Sequence, residues 1–366
     1  MCVNGHCRTP RFSPAIRLET EGDELYVFGS NKNLSLGVGD EDDRQFPEKV
    51  HLSRPENLVQ RFYKEFLEKQ GNPKSGGSPN EDDIPALVRN RPLVIQDVIM
   101  SKLHSAIITT DPVLNLYICG VGRGGRLGLG DENTQFRFTP VQGPLADRKI
   151  HQVALGQNHT LAVAGNGELW AWGLNTDSQL GFVLPPPSRP DEEPMCVTPR
   201  QVFGSLKKEL ISGVAASAIH SVAHTGSSLF CWGRNVGQLA LMDADSRSLD
   251  IQQTPRRVAA SLLSAPILMV SAIDKATSCL LSNHTVWVFA NYGYNQVKFP
   301  IPDAFANYNI GSSFSNHYDP RRREIHYITS SGDTIAAVTG AGDLFTMQLN
   351  FSNDAGQPAG STTNPV

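Results

Sequence analysis

The chain has 366 residues, 40% of them apolar, and a formal net charge of −4 from 32 basic and 36 acidic side chains. That balance supplies no basic field of the kind that holds proteins on nucleic acid, and no run of about 18 apolar residues is present to span a membrane. With 24 Pro and 32 Gly, the composition favours many turns over long helices.

Residues 1–22 read as a disordered segment without the apolar core of a signal peptide. The Cys residues are scattered, and Cys119, Cys231 and Cys279 lie inside apolar runs, as buried thiols would. Both features indicate a reducing, intracellular setting, cytoplasmic or nuclear. "CVNGHC" near the N-terminus offers two Cys and a His, but no second ligand pair accompanies it. No metal site is therefore assigned.

The first strand signal, "LYVFGSNKNLSLGVGD" from Leu25, leads into an insertion over 51–92. There "ENLVQRFYKEFLEKQ" places Leu58, Val59, Phe62, Tyr63, Phe66 and Leu67 on one face of a helix spanning about 56–70. "GNPKSGGSPNEDD" then has the composition of a flexible return. Such a helix either seals the domain's own core, the preferred reading, or offers Phe62, Tyr63 and Phe66 to a protein partner.

The next segment, "CGVGRGGRLGLGD" from Cys119, contains G-x-G-x-x-G. In a dinucleotide fold that loop opens a helix whose N-terminus holds the pyrophosphate. Here Gly128, Gly130 and Pro140 follow, which suit no helix interior. Self-similarity accounts for the glycines instead. Related segments start at Leu25, Leu116, Leu169, Leu229, Val286 and Leu344, a unit of about 57 residues with an insertion in the first interval. Gly122 aligns with Asn31, Asn175, Asn235 and Asn350. Since Gly and Asn both tolerate positive φ, the position is expected to be a left-handed turn residue.

Upstream of most aromatic strands lies a second strand, as in "VALGQNHTLAVA", joined by a tight turn such as "GNGE" or "GAGD". Downstream, most units close on Pro and then Val, as in "TPRQV" and "TPRRV". Short strands and glycine turns repeated at this period predict small sheets packed radially, an all-β propeller. His104, His159 and His220 each precede a hydroxyl residue at one repeat position. An active site is built once, so these are read as buried hydrogen-bonded ties. Trp170, Trp172, Trp232 and Trp287 fall on period-two positions and are assigned to the core. "GDEDD" and "GDEN" follow the repeat turn and read as solvated loop tips. In "SNHYDPRRRE", Tyr318 with Arg321, Arg322 and Arg323 forms a compact basic stretch, which is either a solvated loop, the preferred reading, or a second candidate surface for protein interaction. No catalytic residue and no cofactor is assigned, and protein partners are expected.

The pattern "LxxWGxNxxxQLG", with "GxxHT" upstream and "TPxxV" downstream, resembles the regulator of chromosome condensation repeat family over 23–350. The resemblance implies a propeller of seven blades, of which six units are recognisable; whether the ring closes within this chain is left open. Residues 351–366 read as a flexible tail. The first unit with its helical insertion is similar to the propeller of fungal ankyrin/BTB proteins related to the inhibitor of Bruton tyrosine kinase. That likeness implies a non-catalytic recognition module of a cullin-RING ubiquitin ligase adaptor, although neither ankyrin nor BTB sequence stands in these 366 residues. The founding family member implies an alternative, guanine-nucleotide exchange on a Ran-like small GTPase. Against it, residues 1–24 carry only Arg8, Arg11 and Arg17 beside four carboxylates.

Overall fold

The structure, a computed structural model, describes residues 2–3, 6–7, 22–71, 84–241, 249–301, 307–308, 317–318 and 320–351. The expected disordered segment, flexible return and C-terminal tail lie almost wholly outside these residues. Near the N-terminus β1 (Cys2–Val3) pairs antiparallel with β2 (His6–Cys7).

The first repeat unit forms a ribbon of β3 (Tyr26–Gly29) and β4 (Arg44–Lys49). Helices α1 (Glu56–Lys69) and α2 (Ala86–Arg89) follow. Four antiparallel sheets of four strands come next, each in sequence order. The first holds β5 (Ile95–Met100), β6 (His104–Thr109), β7 (Leu116–Gly120) and β8 (Gln135–Pro140). The second holds β9 (Ile150–Leu155), β10 (His159–Ala164), β11 (Leu169–Leu174) and β12 (Met195–Gln201). The third holds β13 (Gly213–Ala216), β14 (His220–His224), β15 (Leu229–Arg234) and β16 (Ile251–Arg257). The fourth holds β17 (Ile267–Ile273), β18 (Ala276–Leu281), β19 (Val286–Ala290) and β20 (Gly293–Val297). After the pair β21 (Asn307–Tyr308) and β22 (His317–Tyr318), a fifth sheet holds β23 (Ile325–Ser331), β24 (Thr334–Thr339) and β25 (Leu344–Gln348).

The inner strands β5, β9, β13, β17 and β23 touch in succession, which is a five-blade propeller arrangement. Burial, and then the charge of Asp97 on β5, raises the pKa of Tyr327 on β23, so the first and last inner strands are within electrostatic reach of each other. The arrangement differs from the expected six units of a seven-bladed ring. Among the described residues the first unit supplies only β3 and β4, and no inner strands cover them. Tyr26 and Phe28 are therefore 50% and 66% exposed, whereas the equivalent Trp170 and Trp172 are buried. The ribbon leans on the first blade through a Val38–Arg137 bridge and through Gly37, which leaves room for the Phe138 ring.

The core lies between sheets. Trp172 of β11 packs on Ile108, Ile118 and Leu127 of the preceding blade, and Trp232 of β15 packs on Leu161, Leu180 and Phe182. Both indoles are fully buried, and each is the largest apolar surface at its seam. Cys119, Cys231 and Cys279 are buried free thiols as expected. Burial raises the pKa of all three, which keeps them protonated and inert.

The aromatic strands end on Gly120, Gly173 and Gly233, at φ of 118°, 113° and 114°. Each stands in register with the His of the neighbouring strand, and a Cβ there would lie 2.7 Å from that residue's Cα. Gly is required on both counts.

The expectation for Gly122 and its Asn counterparts was wrong. Gly122 has φ −84°, and Asn31, Asn175 and Asn235 are absent from the positive-φ residues. The left-handed residue comes three positions later, at Leu34 (58°), Gly125 (71°) and Ser178 (58°). The Asn side chain instead braces the loop. Asn31 Oδ1 accepts the Leu36 N–H at 3.1 Å and Asn175 Oδ1 accepts the Leu180 N–H at 3.0 Å. At 122 a Cβ would collide with the backbone of Asn133, so Gly stands there for space.

Candidate functional site

The repeated His residues link one blade to the next. His104 Nε2 lies 2.9 Å from Thr160 Oγ1, His159 Nε2 lies 2.7 Å from Ser221 Oγ, and His220 Nε2 lies 2.9 Å from Thr277 Oγ1. Thr160 donates its proton to the Arg126 carbonyl at 2.8 Å, and Ser221 donates to the Gln179 carbonyl at 2.7 Å. Each hydroxyl therefore accepts from an Nε2–H, which fixes the tautomer of His104 and His159. A nucleophilic serine needs the reverse, a hydroxyl donating to a basic nitrogen. Burial pushes the pKa of all three His down to about 3, so they stay neutral, and His104 and His159 act as fixed donors. The chain of links ends at Thr277 because Ala276 takes the His position in the fourth blade.

The acidic loops also serve the turns. Asp43 accepts the Asn31 N–H at 2.6 Å and Glu132 accepts the Gly124 N–H at 2.7 Å.

Of the interaction candidates, α1 is held to the first blade rather than standing free. Its Leu58 and Phe62 are buried with Ile84, Val88, Val113 and Leu114, while Tyr63 and Phe66 are partly buried at the edge of that cluster. Arg91 lies over the Phe62 ring at 4.4 Å. Arg54 is paired with Asp111 through Nε–Oδ2 at 2.8 Å and Nη2–Oδ1 at 3.2 Å, and it also donates to the carbonyls of Arg91 and Pro92. Arg54 and the Arg91–Pro92 backbone, on either side of α1 and α2, are thus tied to the β6–β7 turn. Helix α2 was not foreseen within the return; its four residues are too short for a periodic signal.

In the basic patch, Arg321 and Arg323 are exposed and Arg322 lies 3.8 Å from Asp343. Tyr318 falls in β22, and its side chain lies outside the described residues. Among the described residues, the cluster that holds α1 includes none of Arg321, Arg322 and Arg323. One grouping that sequence reasoning missed is His284, Glu324 and His326, whose ligand atoms all lie within 4.8 Å of one another. No helix among the described residues is long and apolar enough to cross a membrane.

Comparison with known proteins agrees with the blade pattern. Residues 115–163 and 166–224 match the Regulator of chromosome condensation (RCC1) repeat, and 150–179 match a second description of that repeat. BTB/POZ domain-containing protein 1 of Schizosaccharomyces pombe is 32% identical over 354 residues, 95% of this chain and 23% of that protein. Inhibitor of Bruton tyrosine kinase of Mus musculus is 29% identical over 332 residues, 89% of this chain and 21% of that protein. The chain therefore spans less than a quarter of the length of these relatives. Human WBSCR16 superposes with a TM-score of 0.55 at 16% identity, over 89% of each chain. Prp20p of Saccharomyces cerevisiae, described with its binding to Gsp1p and histones, gives 0.54 at 14% identity, over 94% of this chain and 86% of its own. At those identities the two structures establish a shared fold. With its repeats, its His-linked blades and its relatives, the chain belongs to the regulator of chromosome condensation repeat family.

Proposed function

We propose that this propeller is a non-catalytic scaffold that recognises a protein partner or substrate for a cullin-RING ubiquitin ligase adaptor. The observation that carries the reading is the match over 95% of the chain to a protein named for its BTB/POZ domain, of which the matched part is 23%. Two further features support it. The repeated His and hydroxyl groups are committed to linking blades, and the net charge of −4 favours protein over nucleic-acid partners. The ribbon β3–β4 is taken as a sixth unit and 51–92 as its helical insertion, which places Tyr63 and Phe66 at one candidate surface and Tyr318, Arg321, Arg322 and Arg323 at another. The setting is cytoplasmic or nuclear.

Substitution at these surfaces tests the reading. In affinity capture with the full chain, the double variant Tyr63→Ala/Phe66→Ala or Arg321→Glu/Arg323→Glu is expected to lower recovery of clients and ligase components by about tenfold or more, since loss of interface anchors costs about 1–2 kcal/mol or more. The urea midpoint should stay near the wild-type value for the Arg pair and fall for the Tyr63/Phe66 pair, whose rings pack against the α1 cluster, so capture is compared where both variants are folded. Unchanged capture by both double variants would remove the two surfaces from the account.

A further inference from the structure

His284, Glu324 and His326 come from two blades. His284 sits at the tip of the β18–β19 hairpin, with φ of 64°, and Glu324 and His326 flank Ile325 at the start of β23. His284 Nε2 lies 3.8 Å and His326 Nε2 lies 3.4 Å from the same carboxylate oxygen, Glu324 Oε2. The two imidazoles are stacked, with centroids 4.8 Å apart and planes 12° from parallel. His284 Nδ1 lies 3.1 Å from the Ile325 carbonyl. A carbonyl only accepts, so Nδ1 carries a proton, and Nε2 is the ring nitrogen left to face Glu324 and His326 and available to a cation. This is the arrangement by which a second contact orients a metal-binding imidazole.

The repeat provides an internal control. Ile150 and Ile325 hold the same place at the start of their inner strands, pairing with Ala164 and Thr339 respectively. The first of these strands begins Lys149-Ile150-His151, and the hairpin turn of the blade before it carries Leu114 at φ 51° where His284 stands. Strands β5 and β17 begin Val94-Ile95-Gln96 and Pro266-Ile267-Leu268. The blade architecture therefore needs neither a carboxylate nor a turn His at these places. His326 has a counterpart in His151, so a His at that place recurs, whereas the carboxylate and the turn His join it only at this seam among those described.

We propose that His284, Glu324 and His326 bind a zinc-class divalent cation that clips the fifth blade to the fourth. Two imidazole nitrogens and one carboxylate oxygen are the donor set of a three-ligand zinc site, and they disfavour Mg²⁺ and Ca²⁺, which take oxygen ligands. Tetrahedral bonds of about 2.1 Å place donors about 3.4 Å apart, so the widest separation must close by about 1.4 Å at most, within reach of a side-chain rotation. Roughly a third of each side chain is exposed, at 33%, 39% and 31%, which leaves an entry path and a fourth position open to solvent or to a partner's donor. The clip is independent of the ubiquitin-ligase reading.

Calorimetric titration of the chelator-treated full chain with Zn²⁺ tests it, with Mg²⁺ as control. The wild type is expected to bind one Zn²⁺ at this seam and to melt at a higher temperature when loaded, and Mg²⁺ is expected to give no heat. His284→Ala/His326→Ala, which removes two of the three ligands, should weaken that binding about tenfold or more and abolish the melting shift, while the metal-free chain still unfolds cooperatively at a urea midpoint slightly below the wild-type value. Because Cys2, His6 and Cys7 offer other ligands, the same titration is run on Cys2→Ser/Cys7→Ser, which is expected to retain the site. Absence of Zn²⁺ binding, equal binding by the double His variant, or loss of the site in the Cys variant would overturn the proposal.

Discussion

Lowering the pH from about 7.5 to about 5 is expected to remove about 6 kcal/mol of stability through three buried histidines. His104, His159 and His220 have no exposed surface, and burial takes each from an ordinary value of 6.5 to about 3 in the folded state. The folded pKa is depressed, so the unfolded chain binds more protons throughout the window between the two values. Stability is complete above 6.5 and falls as the pH drops towards 3. At about pH 5 each His has lost about 2 kcal/mol, from about 1.4 kcal/mol per pH unit. Carboxylates held low by their partners, such as Asp43, enter only at lower pH. Urea midpoints across this range should therefore fall steeply, and His220→Gln, which can still bond to Thr277, should lower the slope by about one proton. A midpoint that is flat between about pH 7.5 and 5 would contradict the neutral, blade-linking role.

Asp111→Ala is expected to destabilise the protein by about 3–5 kcal/mol, because it leaves the Arg54 guanidinium buried without its carboxylate. Both side chains of this pair are 7% exposed. The loss should be felt first in α1: hydrogen exchange across Glu56–Lys69 should rise before that of β9–β12. Replacing both partners, Arg54→Met/Asp111→Leu, should restore much of the loss, since matched apolar groups carry no desolvation penalty. Wild-type stability for Asp111→Ala would show that α1 is held by Leu58 and Phe62 alone.

The blades were legible in the sequence because their determinants are local. A Gly at φ near 115° and a His opposite it recur wherever the hairpin recurs, so a repeat search finds them without knowledge of the packing. Helix α1 was legible for the same reason, as its apolar spacing lies within one stretch, and Phe62 proved to serve the core. The φ of Gly122 was not legible: Gly and Asn share a tolerance for positive φ, and only the structure shows Asn31 and Asn175 bracing the loop from an ordinary backbone conformation. The five-blade arrangement was hidden because an aromatic strand such as "LYVFG" looks the same whether or not inner strands cover it. His284 and Glu324 lie on different blades, so no short spacing motif could have joined them.

The central claim is that the propeller holds protein partners without a nucleotide-exchange step. It is tested most directly by capturing partners on the full chain in Mg²⁺ buffer and then challenging the washed complex with excess GTP. The account predicts that the clients stay bound, that ligase components remain among them, and that no small GTPase is released. A small GTPase that leaves the complex on addition of GTP would contradict it and establish exchange-factor behaviour instead.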